Sequence, residues 1–133
     1  MRILICEDDP ISQTILTKIL DEYGECDVAS DGNEALEKIH DAFVSNNAYD
    51  LVCCDIVMPG KDGFDVVSAI RSIEAQREVL HHQEVPIVMI SALGHPKNIF
   101  AALSRCGASE YIVKPITKTN ILEVVDRVLA RCL

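Results

Sequence analysis

Apolar and polar positions along this chain follow two different periods. Arg2–Cys6, Asp50–Cys54 and Pro86–Ser91 are nearly continuous apolar runs, and Glu110–Lys114 is a shorter run of the same kind. Runs of this length without alternation are expected for strands covered on both faces of a parallel sheet. Glu25–Ala29 alternates polar and apolar residues instead, which suits an edge strand.

Between these runs the apolar spacing becomes helical. Ile11, Ile15, Leu16, Ile19 and Leu20 form one stripe, opened by Asp9 as a cap and Pro10 at the first helical position and closed by Gly24. Asp31-Gly32-Asn33-Glu34 resembles a capping box ahead of Ala35, Leu36, Ile39 and Phe43. Phe64, Val67, Ile70 and Ile73 make a third stripe. Pro96 opens a fourth helix bearing Ile99, Leu103 and Cys106 and stopped by Gly107, and Ile121, Leu122, Val125, Val128 and Leu129 make a fifth. Five strands alternating with five helices predict one α/β domain over residues 1–133, a parallel sheet with right-handed crossovers and helices on both faces.

Composition narrows the setting. With 133 residues, 49% of them apolar, the chain can close a core without staples. No apolar run reaches the roughly 18 residues that a membrane span needs. Glu7-Asp8-Asp9 interrupts the N-terminal run before a signal-peptide core could form. Cys6, Cys53 and Cys54 lie in strand-like runs, while Cys26, Cys106 and Cys132 are scattered with no C-x-x-C pair. Free buried thiols of this kind point to a reducing, cytoplasmic compartment. The formal net charge of −9 argues against direct nucleic-acid or anionic-membrane binding.

In open parallel sheets ligands bind at the carboxyl ends of the strands. The residues that follow the apolar runs are therefore informative: Glu7, Asp8 and Asp9 after the first, Asp55 after the third, Ser91 at the end of the fourth and Lys114 at the end of the fifth. Taken singly, each has an ordinary reading. Asp9 before Pro10 is a helix cap, Asp55 a turn residue before Met58-Pro59-Gly60, Ser91 a strand end, Lys114 a loop lysine. Jointly they bring carboxylates, a hydroxyl and an amine to one rim. Crowded carboxylates need compensation, which Mg²⁺ supplies through a few carboxylates and several waters. A carboxylate flanked by Mg²⁺ and Lys114 is a credible nucleophile toward phosphorus, and Ser91 is placed to donate to a phosphoryl oxygen.

These motifs together resemble the receiver domain of bacterial-type two-component response regulators, chemotaxis receivers included, over essentially the whole chain. They are Glu7-Asp8-Asp9, Asp55-Ile56-Val57-Met58-Pro59-Gly60-Lys61-Asp62-Gly63, Ser91-Ala92 and Tyr111-Ile112-Val113-Lys114-Pro115. The resemblance implies a flavodoxin-like doubly wound (βα)5 sandwich with strand order 2-1-3-4-5. It implies Asp55 as phosphoacceptor and Lys114 as its cationic partner. Asp9 would ligate Mg²⁺ (or Mn²⁺) directly, Asp8 through water, with Asp55 and the backbone carbonyl of Val57 completing the site. Ser91 and Tyr111 match the hydroxyl and ring that switch together, and Lys114-Pro115 matches a bond usually cis in this family. A histidine kinase or phosphotransfer protein is implied as donor. A downstream protein target, or a second copy of the chain, would read the face made by the fourth helix, fifth strand and fifth helix.

Two features depart from the pattern. Ser91 stands where threonine is commoner, and Glu74–Val85 makes a longer connection than a compact receiver needs, expected as a solvated extension. His81 and His82 diverge on a helix and lack an i+4 partner, so they do not form a metal site. Three other functions compete. A haloacid-dehalogenase-type phosphatase needs a second acid two residues after its nucleophile, where Val57 stands. A phosphorylation-independent scaffold would tolerate losing one of Asp8, Asp9, Asp55 or Lys114, and all are present. A flavin site conflicts with three acids at the first loop. The chain is therefore expected to be a switch with self-catalysed phosphotransfer and slow self-dephosphorylation, not an enzyme acting on external substrate. Met1 just before the first run reads as a natural start, while the output is open: a stand-alone receiver, or part of a larger regulator or hybrid kinase.

Overall fold

The computed structural model describes residues 1–132. Its strands are β1 (Arg2–Cys6), β2 (Glu25–Ala29), β3 (Leu51–Cys54), β4 (Ile87–Ser91) and β5 (Glu110–Val113). All pair in parallel in the order β2-β1-β3-β4-β5, as the resemblance implied. The apolar runs became strands within one residue of their expected ends.

The strand side chains divide cleanly by period two. Ile3, Ile5, Leu51, Cys53, Val88, Ile90 and Ile112 face one layer, filled by Leu16, Leu20, Ile121 and Val125 of α1 (Pro10–Leu20) and α5 (Lys118–Arg131). Leu4, Cys6, Val52, Cys54, Ile87 and Met89 face the other, against Ala35, Ile39, Val67 and Ile70 of α2 (Gly32–Val44) and α3 (Gly63–Gln76). Each large side chain buried this way contributes roughly 1.5–3 kcal/mol. The α1 stripe is narrower than its spacing predicts. Ile11 is 71% exposed and Ile15 is exposed too, because the sheet takes only the side bearing Leu16, Ile19 and Leu20.

Local chemistry sets the helix starts. Asp9 caps α1 with Pro10 at N1. Asp31 accepts from the Glu34 amide at 2.8 Å, while the Glu34 carboxylate accepts from Ser30, one residue earlier than a full capping box requires. The complete reciprocal box is at α3, between Asp62 and Asp65.

Two segments differ from expectation. The fourth helix, α4 (Pro96–Phe100), widens into a π-helical stretch at Ala101–Arg105, so Ala102 is buried while Leu103 stays exposed. The connection from α3 to β4, with a 3₁₀ turn at His81–Gln83, is only partly solvated. Leu80, His81 and His82 are exposed, and His81 pairs with Glu84. Glu74, by contrast, is 2% exposed. Its carboxylate accepts from Arg71 at 2.6 Å and from the Val85 amide at 2.7 Å, which converts a surface residue into a buried anchor.

Candidate functional site

The sheet ladder runs one residue beyond β1, β3 and β5 and fixes the rim. The Glu7 amide donates to the Ala29 carbonyl, the Asp55 amide to Cys6 and the Lys114 amide to Ser91, each at 2.9 Å. Glu7 and Asp55 are thereby held almost fully buried, at 1% and 6% exposure, beside the exposed Asp8. Ligand oxygens from Glu7, Asp8 and Asp55 all lie within 4.8 Å of one another. The Lys114 ammonium donates to Asp55 Oδ2 at 2.8 Å and to Glu7 Oε2 at 3.0 Å. Asp55 Oδ1 accepts from the Val57 amide at 3.2 Å, in the loop that carries the exposed Val57.

Asp9, expected as the direct metal ligand, is not in this cluster. Its carboxylate accepts from the Ser12 hydroxyl at 2.8 Å and from the Ser12 and Ile11 amides at 3.2 and 3.4 Å. Pro10 at the first helical position makes the preceding residue the cap, and a carboxylate turned onto the helix N-terminus cannot also face the rim. Glu7 stands in the cluster instead. The hydrogen bonds from Ser12 and the helix amides hold the Asp9 carboxyl below its ordinary value, with Ser12 the largest cause.

The charges of the cluster balance unevenly. Burial pushes the Glu7 carboxyl above its ordinary 4.5, with Lys114 opposing and the neighbouring Asp55 charge assisting. Burial acts to lower Lys114, but its hydrogen bonds to Asp55 and Glu7 outweigh that and hold it above 10.5. What Lys114 contributes to stability is therefore complete below 10.5 and is lost only as the pH rises through its higher folded value. Glu7 acts in the same sense at lower pH. The folded state binds its proton more tightly, so stability falls as the pH rises from 4.5 toward the raised value. In metal-free buffer Glu7→Gln is expected to flatten this part of the profile, read as urea midpoints between about pH 4 and 7. An unchanged slope would mean that the proton resides elsewhere.

Ser91 is 1% exposed, and its hydroxyl accepts from the Leu93 amide at 3.3 Å. The half-buried Tyr111 donates its hydroxyl to the Leu93 carbonyl, so both residues meet the same short loop after β4. Lys114-Pro115 is cis. One contributor escaped the sequence reading. Gln13 Nε2 donates to the Glu7 carbonyl at 2.5 Å and to Ser30 Oγ at 3.2 Å, bracing the loop between β1 and α1 against the end of β2. A polar residue one turn into a helix carries no signal of its own.

A hard divalent cation suits this donor set. Three clustered carboxylates offer the oxygen ligands Mg²⁺ prefers, with room left for water on the exposed Asp8 side. Only one cation, Lys114, is paired to Glu7 and Asp55 among the described residues, so the cluster retains negative charge for a metal to offset.

A parallel five-stranded sheet carrying such a rim defines a receiver-type signalling domain. The chain belongs to the response regulator receiver domain family, whose model matches residues 3–126. Among curated relatives, the regulatory protein VanRB of Enterococcus faecalis is 32% identical over 98% of this chain and 53% of its own length. The sensor protein GacS of Pseudomonas syringae pv. syringae is 32% identical over 93% of this chain and 13% of its own. The chain thus spans about half the length of that regulatory protein and 13% of that sensor protein. Among solved structures, the Borrelia burgdorferi CheX–CheY–BeF3–Mg complex contains a chain with TM-score 0.81 and 30% identity, covering 97% of this chain and 89% of that one. A putative response regulator from Chloroflexus aurantiacus has TM-score 0.80 and 28% identity, covering 97% of each chain. The fold is that of these structures, and the chain is a receiver domain of the two-component type. Among the described residues no helix is long and apolar enough to cross a membrane.

Proposed function

We propose that Asp55 is the phosphoacceptor of a two-component phosphorelay. The observation that carries this reading is the Lys114 ammonium bridging Asp55 and Glu7 on a rim where Asp8 completes a three-carboxylate cluster. A carboxylate oxygen of Asp55 attacks the phosphorus of a phosphohistidine. The P–N bond breaks, and the imidazole leaves and takes up a proton. Lys114, within hydrogen-bond reach of Asp55, stabilises the charge on the transferring group. Ser91, at the end of the adjacent strand, donates to one of the new phosphoryl oxygens, and Tyr111 follows because both bond the Leu93 segment.

Glu7, Asp8 and Asp55, with the Val57 carbonyl, are the residues to hold Mg²⁺ (or Mn²⁺), and the similar Borrelia complex contains Mg together with BeF3. When bound, the metal neutralises charge on the phosphoryl oxygens. Hydrolysis of the aspartyl phosphate by water resets the domain slowly, and no external substrate is turned over. The donor is a histidine kinase or phosphotransfer protein. The output is a change in the face of α4, β5 and α5, where Phe100, Leu103 and Val113 are exposed, toward a protein target or a second copy. Six free cysteines among the described residues suit a reducing cytoplasm, and the net charge of −9 disfavours direct nucleic-acid contact.

Incubation with acetyl phosphate is expected to add one acid-labile, hydroxylamine-sensitive phosphoryl group, seen by intact mass, only when Mg²⁺ is present. No gain from acetyl phosphate or from a phosphohistidine donor would favour the phosphorylation-independent scaffold.

The metal assignment has its own test. Asp8→Asn is expected to weaken Mg²⁺ binding at least about tenfold, whereas Asp9→Ala lowers the thermal midpoint but leaves Mg²⁺ affinity nearly unchanged. Calorimetric titration reads both, and equal losses would return Asp9 to the metal.

A further inference from the structure

The segment between α3 and β4 takes no part in the phosphoryl chemistry, yet it is firmly built. The Glu74 carboxylate holds the Val85 amide at 2.7 Å, and Glu78 takes a left-handed φ of 57° to turn the chain back, with the Val79 amide donating to the Glu74 carbonyl at 3.0 Å. A second left-handed residue, Asn46, does the same after α2, where the Asn47 amide donates to Ala42 at 2.9 Å. Non-glycine residues hold such conformations only where the surroundings over-determine them.

Between these two turns lies a cavity of about 120 Å³ at the level of α2, α3 and β3. Ile39, Phe43, Tyr49, Val52, Val79 and Val85 line it. The space opens to solvent beside the exposed Ala48 and Gln83. Of its polar groups, Glu74 and Tyr49 are engaged elsewhere, and the exposed Gln83 stands at the mouth. Glu74 accepts from Arg71 and Val85, and the Tyr49 hydroxyl donates to Asp27 at 2.8 Å. Water needs two to four polar partners to settle in such a site, whereas an apolar cavity of roughly 150 Å³ takes benzene.

We propose that this cavity is a binding site for a single uncharged aromatic ring of about benzene size. The volume excludes larger fused systems, and the apolar lining with a carboxylate at its wall excludes anions. The residues that roof it, Val79 and Val85, belong to the connection that is longer here than a compact receiver needs, so the site is a product of this chain's own departure from the pattern.

The test is a titration of the ¹⁵N-labelled chain with benzene, in the absence of metal and phosphodonor, so that it stands apart from the phosphoacceptor reading. Saturable amide shifts centred on Ile39, Phe43 and Val79 are expected. Ala42→Leu, which places four heavy-atom positions at a wall now holding one methyl, is expected to weaken binding at least about tenfold and to raise the thermal midpoint. Ala48→Leu, in the exposed connection after α2, serves if the first variant fails to fold. No saturable shift up to the solubility limit of benzene overturns the proposal, as do shifts that persist unchanged in either folded variant.

Discussion

Asp55→Asn is expected to abolish phosphoryl uptake from acetyl phosphate while leaving the fold intact. The substitution keeps the shape of the side chain and one oxygen to accept from the Val57 amide. It removes the anionic oxygen that Lys114 holds at 2.8 Å, and an amide is no nucleophile toward phosphorus at neutral pH. Lys114→Met should act differently. The nucleophile stays, but the fixed cation at its side is gone, and loss of one such stabilising donor slows transfer about 10²–10³-fold. Intact-mass time courses with Mg²⁺ distinguish the two: no product in the first, slow product in the second. Uptake that survives in Asp55→Asn would show that another acid carries the phosphoryl group. Full-speed uptake in Lys114→Met would make the ion pair structural.

The second large effect concerns the loop that carries Asp55. A Cβ added at Gly63 would lie 2.3 Å from the Asp55 carbonyl oxygen and 2.7 Å from the Ile56 Cα. Both are backbone atoms, so no rotamer change relieves the clash. The Gly63 amide is also bound to the Ile56 carbonyl at 2.8 Å, which ties the start of α3 to the same turn. Gly63→Ala is therefore expected to cost about 3 kcal/mol, the upper end of overpacking penalties, and to weaken Mg²⁺ binding with it. Gly94→Ala is the control. Its Cβ would meet only Val113 side-chain atoms, the nearest at 3.2 Å, and a change below about 1 kcal/mol is expected. Urea unfolding of the two variants gives the comparison, and equal midpoints would mean that the Asp55 turn is softer than its contacts imply.

The sheet was legible in the sequence because strands covered on both faces leave unbroken apolar runs, and the rim was legible because parallel strands end on one side. What failed to show was the aim of single side chains. Glu7, Asp8 and Asp9 are three acids in a row, and sequence alone makes them nearly interchangeable. The deciding fact is that Pro10 commits Asp9 to the helix end, so the pair facing Asp55 is shifted back by one residue. Glu74 is hidden for a related reason. Its place on α3 looks like surface until the Val85 amide, eleven residues later, returns to meet it. Long-range closures of this kind leave no periodic trace, and neither does the π-helical widening of α4.

The direction of the strands has a further consequence. Every βα connection opens on the rim of Asp55, and every αβ connection opens on the far one, where Arg77 to Pro86 lie. Insertions at the far rim lengthen the chain without touching Glu7, Asp8, Asp55, Lys114 or the turn at Gly63. Sequence drift can therefore accumulate there while the chemistry stays fixed. In evolutionary terms the two rims form separate modules, and a lineage can acquire new attachments at one without renegotiating the phosphoryl reaction at the other.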